Sequence, residues 1–326
     1  MMASMPAPTI EDTAARLASL LTYAGGALDD PEHHDLVFER AIELHPLVRG
    51  PVPPDVWAVD GGQAVVADAR SVQLVVTRAA RVRWRDGESA LEEEGELRPM
   101  LLGCGEERLA LTVLGGLPVP PDSSVDINLL RDWGEWQAVQ RCVHEASPGG
   151  LILIDGDLQP DWRIAPAYLS SLLASAADRG VVLAGVTKHS ALARGAAPLL
   201  GQLEREAEGV FGPRAMWWAK VATTREPVRR VLAAKLDPDA RFAFRVDLPD
   251  GVDVPARLGM LAAVADDAAF PGYPYPLSVA DRLAACPSWI RDDVWRQVEE
   301  SFDRAGVPLD VRERAFTDRH RLMERA

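Results

Sequence analysis

Cysteine is scarce in this sequence: Cys104, Cys142 and Cys286 are the three among 326 residues. Three cysteines cannot form a disulfide framework, and their separation matches no metal-binding spacing. This scarcity is typical of a reducing compartment, so we expect a cytoplasmic protein. No apolar run approaches the roughly 20 residues that span a bilayer, so we expect no membrane association. The N-terminal sequence has early acidic residues and no basic segment before an apolar one, which is not typical of a secretion signal.

Positive charge is also in deficit, with 35 basic against 49 acidic residues and a net charge of −14. This balance argues against a protein that passively coats nucleic acid, because such proteins are usually basic. It leaves open an enzyme with a local basic groove. DNA would then have to be delivered or held locally rather than collected by long-range attraction.

The N-terminal region is predicted to be helical. An amphipathic helix is expected over residues 9–24, with Thr9 as its N-cap and Asp12 in its first turn. A second helix is expected over Asp35–Leu44. The three prolines of RGPVPPDV, at residues 49–56, then act as a linker.

The rest of the chain alternates between strands and helices. Three β-rich runs come first, followed by a helix over 125–146, a strand, a helix over 165–178 and another strand; the strands are VWAVDGG, AVVADA, VQLVVTRAARVRW, LILIDGDL and VVLAGVTKHS. This order favours an α/β fold, a ribonuclease H-like mixed sheet flanked by helices, with N-terminal helices and a C-terminal extension. We therefore expect a helical segment over 1–45 and one nuclease domain over 46–326. The end, Asp292–Ala326, is predicted to be helical with a break near Gly306.

Two aspartates follow apolar strands. Asp60 stands in VWAVDGG before two glycines, and Asp155 repeats the pattern in LILIDGDL, with Asp157 two residues later. A carboxylate at a strand end projects into the crevice where sheet enzymes bind ligands, although a plain Asp-Gly turn explains the same letters. If the two strands are neighbours, both carboxylates meet, and such like charges are costly without a cation. Oxygen ligands favour Mg²⁺ or Mn²⁺.

Two further side chains are candidates for the same site. Glu135, on the helix predicted over 125–146, either completes a metal site or forms an ion pair with Arg131 four residues earlier. Lys188, at the end of the strand GVTKHS, either contacts a phosphate oxygen or is an ordinary surface lysine.

The string GYPYPLSVADRLAA is the most unusual in the sequence. Pro274 and Pro276 stiffen the entry to a helix, and Tyr273 and Tyr275 either pack on the core or stack on nucleic-acid bases. Asp281 falls one turn into that helix, where a solvated first-turn acid is the simplest explanation.

In this order, the strings resemble the NurA nuclease family, from about Asp55 to Leu283. The family pattern has a V-D-G strand end, a helix glutamate after an arginine, an L-D-G strand end, a lysine strand end and a Y-P-x-P-L motif. The matching residues here are Asp60, Glu135, Asp155, Lys188 and YPYPL at 273–277. One position departs from the pattern: many members carry a histidine metal ligand after the proline motif, where this chain has Asp281.

The resemblance implies a homodimer that cleaves DNA with Mn²⁺ or Mg²⁺, as a 5′→3′ exonuclease and a single-strand endonuclease. It also implies action on single-stranded DNA and duplex ends, in end resection during double-strand break repair, with a HerA-type hexameric ATPase supplying DNA. The expected catalytic residues are Asp60, Glu135, Asp155 and Lys188. The expected metal ligands are Asp60, Glu135, Asp155 and Asp281, and the expected nucleic-acid contacts are Lys188, Tyr273 and Tyr275.

These residues predict two-metal-assisted hydrolysis, in which one ion activates water and the other stabilises the leaving 3′ oxygen. Three alternatives remain open: a non-catalytic DNA-binding or assembly subunit of a HerA-like translocase complex, an RNA-directed or Argonaute-like nuclease, and an α/β protein whose Asp-Gly pairs are turns. Carboxylates of Asp60 and Asp155 more than about 8 Å apart could not share two ions spaced ~3.5–4 Å.

Overall fold

The computed structural model describes residues 9–22, 25–33, 35–103, 105–114, 116–120 and 122–317. These residues form two compact units, which are described separately. The first unit comprises the described residues within Met1–Val52, Gly156–Leu158 and Ala184–Tyr275. The second comprises those within Pro53–Asp155, Gln159–Leu183 and Pro276–Ala326. The boundary expected between residues 45 and 46 stays a prediction.

The helices are α1 (Ile10–Thr22), α2 (Glu106–Leu109), α3 (Ile127–Glu145), α4 (Pro166–Asp178), α5 (Leu199–Phe211), α6 (Val254–Ala262), α7 (Tyr275–Ala284), α8 (Ser288–Arg304) and α9 (Leu309–Phe316), and a π-helical turn spans Ala110–Leu114. The strands are β1 (Leu28–Asp29), β2 (Leu36–Phe38), β3 (Leu44–Pro46), β4 (Asp55–Asp68), β5 (Val72–Arg85), β6 (Glu88–Glu93), β7 (Arg98–Gly103), β8 (Leu151–Asp155), β9 (Val182–Thr187), β10 (Ala193–Arg194), β11 (Ala197–Pro198), β12 (Trp217–Thr224), β13 (Arg229–Lys235) and β14 (Phe244–Pro249). Within the described part of the chain, no helix has both the length and the apolar character needed to cross a bilayer.

A long hairpin forms the centre of the second unit. β4 and β5 pair antiparallel, with a register shift between Val65 and Ala67. β8 pairs with β4 in parallel, and β6 and β7 each pair antiparallel with β5. Helix α3 packs against β4 and β5. The sheet of this unit is therefore mixed and flanked by helices, which confirms the predicted α/β class.

The strand break predicted after Asp60 is wrong. VWAVDGG and AVVADA belong to the one strand β4, so Asp60 lies inside a strand rather than at its end. Glycine usually weakens a strand, and it often marks a close approach. A Cβ on Gly61 would lie 2.7 Å from Cδ of Glu135, and a Cβ on Gly62 would lie 2.7 Å from the carbonyl carbon of Ala284. The glycine pair admits these neighbours and does not form a turn.

Helix α3 confirms the helix predicted over 125–146. Its N-cap is Asp126, whose side chain accepts a hydrogen bond from the backbone N–H of Leu129 at 2.9 Å. The apolar stripe of this helix is buried, with Leu129, Trp136, Val139 and Val143 among its members. The first four residues of β8 are also buried, as expected for a strand inside a covered sheet.

Strands β12, β13 and β14 form an antiparallel sheet in the first unit, and β14 also pairs with residues 185–187 of β9. β2 and β3 pair with β12, so the helix predicted over Asp35–Leu44 is wrong. The backbone of β12 offers hydrogen bonds to these residues. Such long-range pairing overrides local preference, and a local sequence pattern does not reveal it.

The two ends of the chain agree with the helical prediction where they are described. The Thr9 hydroxyl accepts from the Asp12 N–H at 3.1 Å, and the Asp12 carboxylate accepts from the Thr9 N–H at 3.1 Å, so α1 begins with a capping box. Gly306, at a φ of 66°, separates α8 from α9. Cys142 and Cys286 carry free thiols. Cys104 and the predicted helical residues 23–24 and 318–326 lie outside the described residues.

Candidate metal centre

Three carboxylates of the second unit converge on one point. Asp60 lies within β4, Asp155 is the last residue of β8, and Asp281 lies on α7. Each offers an oxygen, and these oxygens lie within 4.8 Å of one another. The parallel pairing places Val59 opposite Ile154, so the two aspartates follow at adjacent positions. Asp60 and Asp155 are therefore well inside the limit of about 8 Å for sharing a pair of ions.

Asp281 joins this group although its helix comes from a distant part of the sequence. The apolar face of α7 is buried, with Leu277, Ala280 and Ala284 among its residues, while Asp281 itself is exposed. Gly62 gives the helix room, because any larger residue there would overlap the carbonyl group of Ala284. Because α7 begins at Tyr275, Asp281 lies beyond its first turn, so the explanation as a first-turn acid is wrong. Its position supplies the third carboxylate.

Glu135 approaches β4 from α3. Its side chain is buried, and its Oε1 lies 3.0 Å from Nη1 of Arg131, so the ion pair considered from the sequence is present. Burial raises the pKa of Glu135 well above its usual range, and the charges of Asp60 and Asp155 also raise this pKa. Two of the three carboxylates therefore act on the charge of Glu135, although Glu135 is not among the residues whose oxygens lie within 4.8 Å.

The donor set suits a hard divalent cation. Mn²⁺ and Mg²⁺ prefer carboxylate oxygens. With ligands about 2.1 Å from an octahedral ion, neighbouring oxygens are roughly 3 Å apart and opposite ones roughly 4 Å. The 4.8 Å limit on the oxygens of Asp60, Asp155 and Asp281 is compatible with these separations. Three converging carboxylates also repel one another unless a cation lies between them.

Comparison with known proteins identifies the fold. No protein-family model matches the chain, and no curated protein matches it. The crystal structure of the NurA nuclease from Sulfolobus solfataricus matches over 91% of this chain and 95% of that chain, with a TM-score of 0.57 and 15% identity. The chain has the NurA fold. This confirms the resemblance at the level of the fold.

Two weaker structural matches accompany the first. A second NurA crystal structure matches over 73% of this chain and 86% of that chain, with a TM-score of 0.49 and 7% identity. The catalytic domain of human endonuclease V matches over 81% and 93%, with a TM-score of 0.40 and 13% identity. Both TM-scores are below 0.5, so the assignment of the NurA fold rests on the Sulfolobus structure.

The remaining predicted site residues belong to the first unit. Lys188 directly follows β9, and its ammonium lies 5.1 Å from the centroid of the Tyr273 ring, within the range of a cation–π contact. Tyr273 is buried and its ring packs near those of Phe244 and Phe270. Tyr275 is 37% exposed. Of the two tyrosines, Tyr275 is the one that is accessible to a base, and nucleic-acid contact by either stays a prediction.

Sequence reasoning did not find an ionic cluster in the first unit. His33 Nε2 lies 2.5 Å from Asp157, and His33 Nδ1 lies 3.2 Å from Asp30. Arg245 pairs with Asp247 at 2.8 Å and with Asp30 at 3.2 Å. Asp157 is therefore a member of this ionic cluster. The second aspartate of LILIDGDL indicated a charged site, but the sequence did not predict that His33 would be the partner of Asp157.

Proposed function

We propose that this protein is a metal-dependent deoxyribonuclease that hydrolyses phosphodiester bonds. The observation that carries the proposal is the convergence of the Asp60, Asp155 and Asp281 carboxylates within 4.8 Å. The NurA fold supports it, because the Sulfolobus protein with this fold is a nuclease. A cluster of acidic residues on this fold matches the chemistry of metal-assisted phosphate cleavage.

Asp60, Asp155 and Asp281 would hold Mn²⁺ or Mg²⁺, with Glu135 as a further oxygen donor and two ions as the expected number. When bound, the ions polarise the phosphate and offset its negative charge. The backbone N–H of Gly61 donates to Oδ1 of Asp60 at 2.7 Å, which fixes the orientation of this carboxylate. Burial restricts Asp60 and Glu135 further. Lys188 is proposed to contact the scissile phosphate. Tyr275 and Tyr273 are proposed to contact nucleic-acid bases.

The proposed activities are 5′→3′ exonuclease and single-strand endonuclease cleavage in end resection during double-strand break repair. A HerA-type ATPase is the proposed partner, in the cytoplasm. The net charge of −14 supports delivery of DNA by a translocase, because the protein as a whole does not attract a polyanion. Two features favour the alternative of a non-catalytic subunit: Asp281 in place of histidine, and the net charge of −14. Since Asp281 contributes an oxygen to the three-carboxylate group, the enzyme is favoured.

A homodimer is part of the proposal, and α1 is the candidate contact surface. This helix has no buried residue, and Ile10, Leu17 and Leu21 are 89%, 56% and 47% exposed. Exposed apolar residues on one helix are a common mark of protein contacts. Light scattering during gel filtration should give a dimer for the full chain and a monomer for Leu17→Glu. A dimer in both would place the contact elsewhere.

The proposed activity is tested with end-labelled single-stranded and duplex DNA, with Mn²⁺, Mg²⁺ or EDTA, and with and without a HerA-type ATPase. We expect cleavage that requires metal. Asp60→Asn and Asp155→Asn should each reduce the rate by about a hundredfold or more, since each removes a metal ligand. Asp178→Asn, which changes an exposed aspartate at the end of α4, is the matched control and should retain the wild-type rate.

The outcomes separate the alternatives. No metal-dependent cleavage, with or without the ATPase, would leave a DNA-binding subunit as the better description. Cleavage of RNA in preference to DNA would indicate an RNA-directed nuclease. Full activity in Asp60→Asn or Asp155→Asn would show that the candidate metal centre is not the active site.

A further inference from the structure

The C-terminal end of α7 is held by an arginine from β5. Arg78 donates its Nε–H to the carbonyl oxygen of Ala284 at 3.1 Å, and its Nη2 donates to the carbonyl oxygen of Ala285. The last carbonyls of a helix have no partner within the helix, so an outside donor is needed where they are buried. Arg78 is only 8% exposed, so its bonds replace bonds to water. A guanidinium at a helix C-terminus also meets the negative end of the helix dipole.

The partner of Arg78 in the sheet completes this contact. Gly62 of β4 lies directly opposite Arg78 in the antiparallel pair, and opposite residues share one face of the sheet. A Cβ on Gly62 would overlap the Ala284 carbonyl group and would lie 3.2 Å from Sγ of Cys286. One cross-strand pair therefore supplies both the space for the end of α7 and the donors that hold it there.

The contact between β4, β5 and the end of α7 is linked to the candidate metal centre through the strand and through the helix. Asp60 lies two residues before Gly62, so its side chain is on the same face of β4. On the helix, the backbone N–H of Ala285 donates to the carbonyl oxygen of Asp281 at 3.0 Å. Asp281 and Ala285 thus belong to one hydrogen-bonded helical turn. A contact that holds the backbone at Ala284 and Ala285 therefore also holds the backbone of Asp281.

We propose that Arg78 is a positioning residue, which acts through the backbone of α7 to hold the Asp281 carboxylate beside Asp60 and Asp155. This inference rests on the proposed metal-dependent function. Arg78 has three sets of donors, and Glu94 receives a third contact from Nη1 at 3.2 Å. The planar fork of a guanidinium can reach two successive carbonyls at once, whereas a lysine offers a single flexible ammonium. Arg78→Lys should therefore keep the positive charge but lose the simultaneous hydrogen bonds to the carbonyl oxygens of Ala284 and Ala285.

The chain offers a matched control in Arg81, which lies on the same strand. Arg81 is 7% exposed, close to the 8% of Arg78. Its guanidinium pairs with Glu93 at 2.6 Å and with Glu145 of α3 at 2.8 Å. It is an odd number of residues from Arg78, so it lies on the opposite face of the sheet from α7. Arg81→Lys removes a comparable buried guanidinium without touching the end of α7.

The test measures Mn²⁺ affinity by calorimetry and backbone hydrogen exchange over residues 281–286, in the wild type, Arg78→Lys, Arg78→Ala, Arg81→Lys and Asp60→Asn. We expect Arg78→Lys to weaken Mn²⁺ binding by about tenfold, the size typical of supporting residues around metal ligands. It should also speed hydrogen exchange over 281–286. Arg81→Lys should leave both within about twofold. If Arg78→Ala fails to fold, Arg78→Lys carries the comparison alone.

Unchanged Mn²⁺ affinity in Arg78→Lys, with tight binding in the wild type and none in Asp60→Asn, would overturn the role of Arg78 and leave the proposed function intact. An equal loss of affinity in Arg81→Lys would also overturn it, because the effect would then be a general loss of stability. A wild-type protein without Mn²⁺ binding, or binding unaffected by Asp60→Asn, would overturn the proposed function and the role of Arg78 with it.

Discussion

Glu135 occupies the space that a side chain at position 61 would fill. A Cβ on Gly61 would lie 2.5 Å from Cγ and 2.7 Å from Cδ of Glu135. Glu135 is buried and paired with Arg131, so it cannot withdraw without losing that partner. Gly61 thus sets how closely α3 approaches β4 beside the candidate metal centre.

Gly61→Ala should displace Glu135 and disturb this packing. We expect a loss of about 1–3 kcal/mol in the free energy of unfolding, the usual cost of overpacking, together with weaker Mn²⁺ binding. Urea unfolding and Mn²⁺ titration measure the two effects. Gly134→Ala is the control on α3, because its added Cβ would meet nothing closer than 4.0 Å. That variant should be neutral or more stable by up to about 1 kcal/mol, and equal losses in both variants would contradict a specific role for Gly61.

Asp281→His replaces the aspartate by the residue type that many NurA proteins carry after the proline motif. Imidazole is a poorer ligand for Mg²⁺ than a carboxylate. We expect cleavage with Mn²⁺ to persist, while cleavage with Mg²⁺ falls by about tenfold. Asp281→Asn should lose most activity with both ions. Rates measured across a titration of each metal check this, and full activity of Asp281→Asn with Mg²⁺ would exclude Asp281 as a ligand.

Asp132 of α3 gives a pH-dependent prediction. Burial raises the pKa of Asp132 to about 6, although its carboxylate accepts hydrogen bonds from the Trp136 ring and from the Asp161 N–H. The protonated carboxyl group contributes its full stability below pH 3.8, the pKa of an aspartate in the unfolded chain. This stability is lost as the pH rises through about 6, the pKa in the folded protein. The amide introduced by Asp132→Asn carries no charge at any of these pH values. Between pH 4 and pH 7, Asp132→Asn should therefore gain about 1–3 kcal/mol relative to the wild type.

Urea unfolding at several pH values measures this gain. Asp178→Asn, at an exposed position on α4, is the control and should stay within about 0.5 kcal/mol of the wild type. A constant difference between Asp132→Asn and the wild type from pH 4 to pH 7 would refute the prediction.

His33 gives a second pH-dependent prediction, for a group that is stabilised in its charged form. Hydrogen bonds to Asp157 and Asp30 raise the pKa of His33 to about 10, since both ring nitrogens donate only in the imidazolium. The stability contributed by this cation is complete below pH 6.5 and is lost as the pH rises toward 10. From pH 6.5 to pH 10, the wild type should lose roughly 2–4 kcal/mol more than His33→Gln. Chemical denaturation across this range tests it, with His144→Gln, at an exposed position, as the control.

Much of the candidate site could be predicted from local strings. Asp155 ends an apolar strand, and Glu135 lies on a strongly periodic helix; both features are visible within about ten residues. Their roles as ligands stay predictions. The error at Asp60 has a physical cause: an Asp-Gly-Gly string is typical of a turn, and only the approach of Glu135 and Ala284 shows why the glycines lie within a strand.

The sequence by itself determined the α/β class, the helix α3, the strand β8 and the identity of the acidic side chains, because these depend on periodicity and residue type. The tertiary structure alone decided that residues 36–38 and 44–46 are strands, because their hydrogen-bond partners lie on the distant strand β12. No local pattern predicted that Asp281 joins Asp60 and Asp155; the family resemblance implied it, and the tertiary structure brings the three carboxylates together. That placement depends on Gly62 and Arg78 holding the end of α7, and such contacts between distant residues leave no periodic signal in the sequence.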